Sequence, residues 1–304
     1  MIGMKIQRKH YSRNDIKERA SASFFFAPFA LLFILFIIVP IVLSAYFSLT
    51  SYSVVQEPIW VGVRNFRYLI TEDNFFLTAL NNTLAFAALT GAAGYIMSFI
   101  FAWIIDNLKF KKFFSLMFYA PSITSGIAMS VIWLYFFAPD SLGLFNSIAM
   151  QMGWITTPIL WTQTPSLILP MVCIVTIWMS MGNGFLAFLA GFQNLSGEIS
   201  EAGAIDGVHN KFEELIYIIV PQMKPMLLFG AVNAIITAFA IYDVPLTLAG
   251  NPGPDNAALT LIGHLNDYAF TRLDLGYGCA VGVVLFLITF GLSRIVFHVL
   301  QEKD

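Results

Sequence analysis

Charge is scarce in this chain. Of its 304 residues, 16 are Lys or Arg and 18 are Asp or Glu, so 11% are charged, while 58% are apolar and mean hydropathy is +0.76. That balance excludes an ordinary soluble domain, in which about a quarter of residues carry charge. Cysteine is nearly absent. Cys173 and Cys279 each sit inside an apolar run, which leaves no disulfide framework and no Cys-based metal spacing. The four histidines, His10, His209, His264 and His298, have no ligand spacing either. No G-x-x-x-x-G-K-[ST] sequence occurs, so the chain has no loop of that kind to cradle nucleotide phosphates. No catalytic constellation stands out. The net charge of -2 excludes nothing, because the information lies in where the charges fall.

What the chain does have is long apolar runs, which predict an all-α integral membrane fold. A span needs about 20 apolar residues, and hydrocarbon admits only structures whose backbone groups pair internally. No charge appears from Ala20 to Gln56, and the apolar run from Ser23 to Leu49 is too long for a cleaved leader. Further helices are predicted over Asn82–Ile105, Phe113–Ala138, Ser166–Phe192, Met226–Ala249 and Leu275–Val299, making six. Between the third and fourth, Gly143, Gly153, Pro158 and Pro165 break the pattern, and Trp154 and Trp161 suit a headgroup layer. This gives a basic tail over 1–22 and a membrane domain over 23–304.

Basic residues orient the chain. With the amino terminus inside, the inner segments hold 13 of the 16 Lys and Arg, and only Arg64, Arg67 and Arg272 lie outside. Both termini are therefore expected in the cytoplasm, with an even number of spans. The tail meets anionic lipid in this reading, with nucleic acid a remote alternative.

A charged interruption over about 193–225 then faces the cytoplasm. Ser196 is placed to cap a first short helix, with Glu198 and Glu201 near its positive end and Leu195, Ile199, Ala202 and Ile205 forming a narrow apolar stripe. Gly207 permits a left-handed turn. Asn210 and Glu213 have capping-box spacing for a second helix running to Pro221. Physics alone leaves two readings open: a docking element for a soluble partner, or an amphipathic loop lying on the membrane.

The run Glu201-Ala202-Gly203-Ala204-Ile205-Asp206-Gly207, followed by Ile218-Ile219-Val220-Pro221, resembles the cytoplasmic EAA loop of permeases from binding-protein-dependent ABC importers of the carbohydrate type. Gly203 stands for that loop's second Ala, and one extra residue precedes the terminal Ile-Ile-Val-Pro. Trp60–Ile70, Asn74–Thr83, Gly143–Asn146 and Gly250–Thr260 are similar, in order, to the first-permease group of sugar and glycerol-phosphate importers. The resemblance implies a type I importer permease with six spans in the plasma membrane of a prokaryotic cell. It implies a second homologous permease, two cytoplasmic ABC ATPase domains that bind the ATP and magnesium, and an extracytoplasmic solute-binding protein. Glu201, Ala202, Gly203, Asp206, Gly207 and Pro221 then form the surface that couples to the ATPase, with no catalysis in this chain itself. The extra residue is expected in the turn near His209 and Asn210.

Solute contacts are sought among polar residues of the spans. Thr176, Met179, Ser180 and Asn183 fall at i, i+3, i+4 and i+7 on the fourth helix, and Asn233 and Thr237 are four apart on the fifth. Hydroxyl and amide groups beside apolar walls suit a carbohydrate. Helix packing is the other role open to them, as it is for Gly91 and Gly94. Tyr242 and Asp243 form the sharpest anomaly, since a carboxylate in a span is costly and by default functional. Its position near the outer end leaves both an interfacial role and a solute contact open. An ion-coupled secondary carrier is the alternative, with Asp243 as its sole coupling candidate.

Overall fold

The computed structural model describes the backbone of residues 13–300 and the side chains from Ser23 onward, except those of Asn183 and Leu300. The basic side chains of the tail assigned to 1–22 lie outside the described residues. Helix α1 (Ser23–Phe47) is the first span. A two-residue antiparallel pair, β1 (Thr50–Ser51) with β2 (Ile59–Trp60), leads to the short helix α2 (Arg64–Thr71). Then come α3 (Asn74–Asp106), α4 (Lys111–Ile123), α5 (Gly126–Phe136), α6 (Leu144–Gln151) and α7 (Pro165–Gln193). The cytoplasmic loop holds α8 (Gly197–Ile205) and α9 (residues 211–222). Helices α10 (Lys224–Phe239) and α11 (Asp243–Ala249) form the fifth span, and α12 (Leu261–Asn266) precedes α13 (Leu275–Leu300).

Among the described residues, five helices or helix pairs are long and apolar enough to cross a membrane, and the bent pair α4–α5 makes a sixth. The third span is thus not the continuous helix expected over Phe113–Ala138. It turns by 98° where Thr124 and Ser125 leave helical backbone angles. Pro121 removes an amide from the last turn of α4. Hydroxyls pair the exposed carbonyls instead: Ser122 Oγ donates to Tyr119 O at 2.8 Å and Thr124 Oγ1 to Ala120 O at 3.1 Å. Backbone left unpaired at this depth would cost several kcal/mol per group, and these bonds avoid most of that.

The second span also differs, beginning at Asn74 rather than Asn82. Asp73 is its cap: one carboxylate oxygen accepts from the amides of Phe75 and Phe76 at 2.9 and 3.1 Å. Of the two tryptophans assigned to the headgroup layer, Trp154 is exposed. Trp161 instead packs on Phe137 and donates from Nε1 to Asn146 Oδ1 at 3.0 Å.

Three asparagines clamp the outer loops, Asn65 and Asn146 buried and Asn82 half-buried. Asn65 on α2 donates to Ser48 O and Thr50 O. Asn146 on α6 donates to the carbonyls of Ala138, Asp140 and Ile159. Asn82 on α3 donates to Asn256 O and Leu259 O, while the neighbouring Thr83 Oγ1 accepts from Leu261 N at 2.8 Å. The outer loop after the fifth span is therefore pinned to the second.

Four apolar clusters hold the described spans together, and two of them border the site described below. On the outer side, Phe86, Phe137, Ile168, Val172 and Val244 pack against one another. On the inner side, Ala102 and Ile105 of α3 pack with Phe185, Phe188, Leu189 and Phe192 of α7 and with Leu215, Ile219 and Met223 of the cytoplasmic loop. The loop is thereby seated on the membrane body rather than hanging from it.

Candidate solute path and coupling surface

A cavity of about 300 Å³ lies among α3, the α4–α5 bend, α7 and the α10–α11 break. Thr176, Met179 and Ser180 of α7, Asn233 and Thr237 of α10, and Tyr242 and Asp243 at the break all line it. Seven of the eight side chains singled out from sequence thus converge on one space. The eighth, Asn183, has its side chain outside the described residues. Sequence reasoning missed the opposite walls: Thr90, Tyr95 and Ser98 on α3 and Ser122 and Thr124 at the bend. Gly91 and Gly94 line it too, while also allowing close packing. A side-chain carbon on Gly94 would come within 2.9 Å of Ser180 Oγ.

The polar groups here are unevenly satisfied. Ser98 Oγ donates to Met181 O at 3.1 Å, Ser180 Oγ to Ile177 O at 3.1 Å, and Thr237 Oγ1 to Asn233 O. Thr176 Oγ1 is buried and has no partner among the described residues. The Asn233 amide and the Asp243 carboxylate form no side-chain hydrogen bond or ion pair among the described residues. Buried polar groups are normally paired, so the buried Thr176 hydroxyl beside a cavity is what a hydrogen-bonding solute would satisfy. Asp243 opens α11 at its first residue and faces the cavity, beside Gly126 at the start of α5.

The inner end of the cavity is closed by Phe188, which is fully buried with Tyr95 and Phe99 edge-on at 5.4 Å each. Phe188 belongs to the same cluster as Leu215, Ile219 and Met223. One continuous packing path therefore joins the cavity to the cytoplasmic loop.

In that loop, α8 exposes Glu201, Ala202 and Ile205, the last 87% exposed, and Asp206 closes it. Gly207 follows at φ +100°, the left-handed region expected of it. Ser196 occupies the cap position, but its side chain makes no capping bond. The second cap is formed: Asn210 Oδ1 accepts from Phe212 N and Glu213 N, and His209 N donates to Glu213 Oε2 at 2.9 Å. That bond from the His209 amide, with further bonds at Asn210, holds the Glu213 carboxyl below its ordinary range. Lys211 and Ser200 do the same for Glu214. Gly203 points inward: a side-chain carbon there would lie 2.1 Å from Ile218 Cδ1. It allows close approach of α8 to α9, and Ile218 fills the space that a side chain there would take. The turn at His209 and Asn210 is tightly capped, and α9 carries a π-turn over Leu215–Ile219, ahead of the exposed Pro221.

Residues 93–304 match the family described as binding-protein-dependent transport system inner membrane components. The chain belongs to this family. The arabinooligosaccharides transport system permease protein AraP of Bacillus subtilis is 30% identical over 280 residues, covering 91% of this permease and 88% of that protein. The sn-glycerol-3-phosphate transport system permease protein UgpA of Yersinia pestis is 28% identical over 80% of this permease and 81% of its own length. A crystal structure of a bacterial ABC transporter involved in the import of the acidic polysaccharide alginate matches with a TM-score of 0.80 at 18% identity, over 94% of this permease and 97% of that chain. The permease thus has the type I importer fold and is a multi-pass inner-membrane component, which sets aside the ion-coupled carrier.

Proposed function

We propose that this permease forms one half of the solute path of an ATP-driven importer for a carbohydrate or related polyol. The other half is a second, homologous permease. Two cytoplasmic ATPase domains bind ATP and magnesium, and one docks on α8 through Glu201, Ala202, Ile205 and Asp206. An extracytoplasmic binding protein delivers the solute. What carries the reading is the packing path from α8 and α9 through Leu215, Ile219 and Met223 to Phe188 at the cavity. Closure of the two ATPases would push on α8, and the inner cluster would pass that displacement to the cavity's inner end, rocking the two permease halves between inward and outward states. Carbohydrate as solute is supported by the hydroxyl and amide lining beside Met179, Tyr95 and Phe188 and by the solutes named for its relatives. A cysteine at Ile205 should cross-link to a cysteine on the ATPase surface, with a yield that changes between nucleotide-free and ATP-bound states. No cross-link in either state would contradict the docking assignment.

A further inference from the structure

Family membership leaves the charge of the solute open, and the cavity itself speaks to it. Among the described residues lining it, Asp243 is the one charged side chain, and no Lys, Arg or His faces it. The carboxylate is exposed to the cavity and has no ion-pair or side-chain hydrogen-bond partner among the described residues. It also takes up a particular position. The bend at Thr124 and Ser125 starts α5, eleven residues long, at the cavity wall, and a side-chain carbon on Gly126 would come within 3.2 Å of Asp243 Oδ2. Half-helix amino termini at such breaks are where anionic solute groups are stabilised by the helix dipole and free amides. Here the protein's own carboxylate stands in that place.

We propose that Asp243 makes this cavity select against anionic solutes, so that the permease passes uncharged polyhydroxylated molecules. The inference rests on reading the cavity as the solute path. A carboxylate accepts charge-assisted hydrogen bonds from two solute hydroxyls, whereas a solute carboxylate or phosphate meets an uncompensated like charge. Asn233 and Thr237, one turn apart on α10, offer further neutral partners across the same space.

Paired thiol reagents of equal size and opposite charge test this without knowledge of the solute. In the assembled importer, with Cys173 and Cys279 replaced by Ala, Thr237→Cys places a thiol on the cavity wall. The trimethylammonioethyl methanethiosulfonate should react faster than the sulfonatoethyl reagent by about tenfold beyond their ratio for a free thiol. Asp243→Asn should return the ratio to the free-thiol value. An unchanged ratio in Asp243→Asn overturns the proposal, as does a thiol that neither reagent reaches. In uptake, Asp243→Asn should raise transport of an oligosaccharide aldonate relative to the parent neutral sugar several-fold. Loss of all ATP-dependent uptake by the unsubstituted importer would instead refute the parent reading, and the labelling ratio reports on the carboxylate independently of it.

Discussion

Asp73 shows how much one buried residue can hold. One of its oxygens caps α3, and the other takes the Tyr277 hydroxyl and His264 Nε2, the latter at 3.0 Å. Burial alone would raise its pKa, but Tyr277, the two capping amides and His264 together outweigh burial and hold it below the ordinary carboxylate range. His264 is pushed below its ordinary value by burial, which outweighs the attraction of Asp73. The signs agree. Stability from the depressed carboxylate is full above about pH 3.9 and is lost as pH falls through the lower folded pKa. A histidine that resists protonation when folded loses stability as pH drops below about 6.5. Acid should therefore loosen the junction of α3, α12 and α13. Amide protection over residues 260–266 should fall between pH 7 and 5, and His264→Gln should flatten that profile; a profile unaltered by the substitution would count against the assignment. None of this is legible in the sequence, because Asp73, His264 and Tyr277 are far apart along the chain and none lies on a periodic stripe. The loop-clamping Asn65, Asn82 and Asn146 are legible only as parts of a resemblance. Their role is to bind loop carbonyls, which no spacing rule reveals.

At the scale of elements, the cytoplasmic loop is largely readable. Gly207, Asn210 and Glu213 carry local turn and cap chemistry, and local chemistry survives in any tertiary setting. Gly207 at φ +100° makes a direct prediction. Gly207→Val places a β-branched residue where even an ordinary side chain costs about 1–2 kcal/mol, which should tilt α8 relative to α9. Solute uptake should fall about tenfold or more while the complex still assembles and hydrolyses ATP; uptake and hydrolysis falling together, or neither falling, would contradict a coupling role. The bend in the third span is hidden for a physical reason. A run of apolar residues satisfies hydrocarbon whether it runs straight or turns, so hydropathy is blind to direction, and only Pro121 with Thr124-Ser125-Gly126 signals a break. The inward turn of Gly203 depends on Ile218 fifteen positions away, which local pattern does not see.

For the whole molecule, helical periodicity finds one wall of the cavity and misses the other. Thr176, Met179 and Ser180 form a polar interruption in an apolar helix, whereas Gly91, Gly94 and Ser98 look like packing residues and become lining only because α3 meets α7 across the space. The same assembly joins that space to α8 through the inner cluster, and this linkage is the account's central claim. It is tested most directly by reconstituting the importer with its ATPase and binding protein in sealed vesicles and measuring accumulation of a radiolabelled neutral oligosaccharide recognised by that binding protein. The account predicts uptake that requires ATP on the side bearing α8, persists when ionophores collapse every ion gradient, and is lost when Ile205→Glu disrupts docking. Accumulation that proceeds without nucleotide hydrolysis, or that ends when ion gradients alone are collapsed, would contradict it.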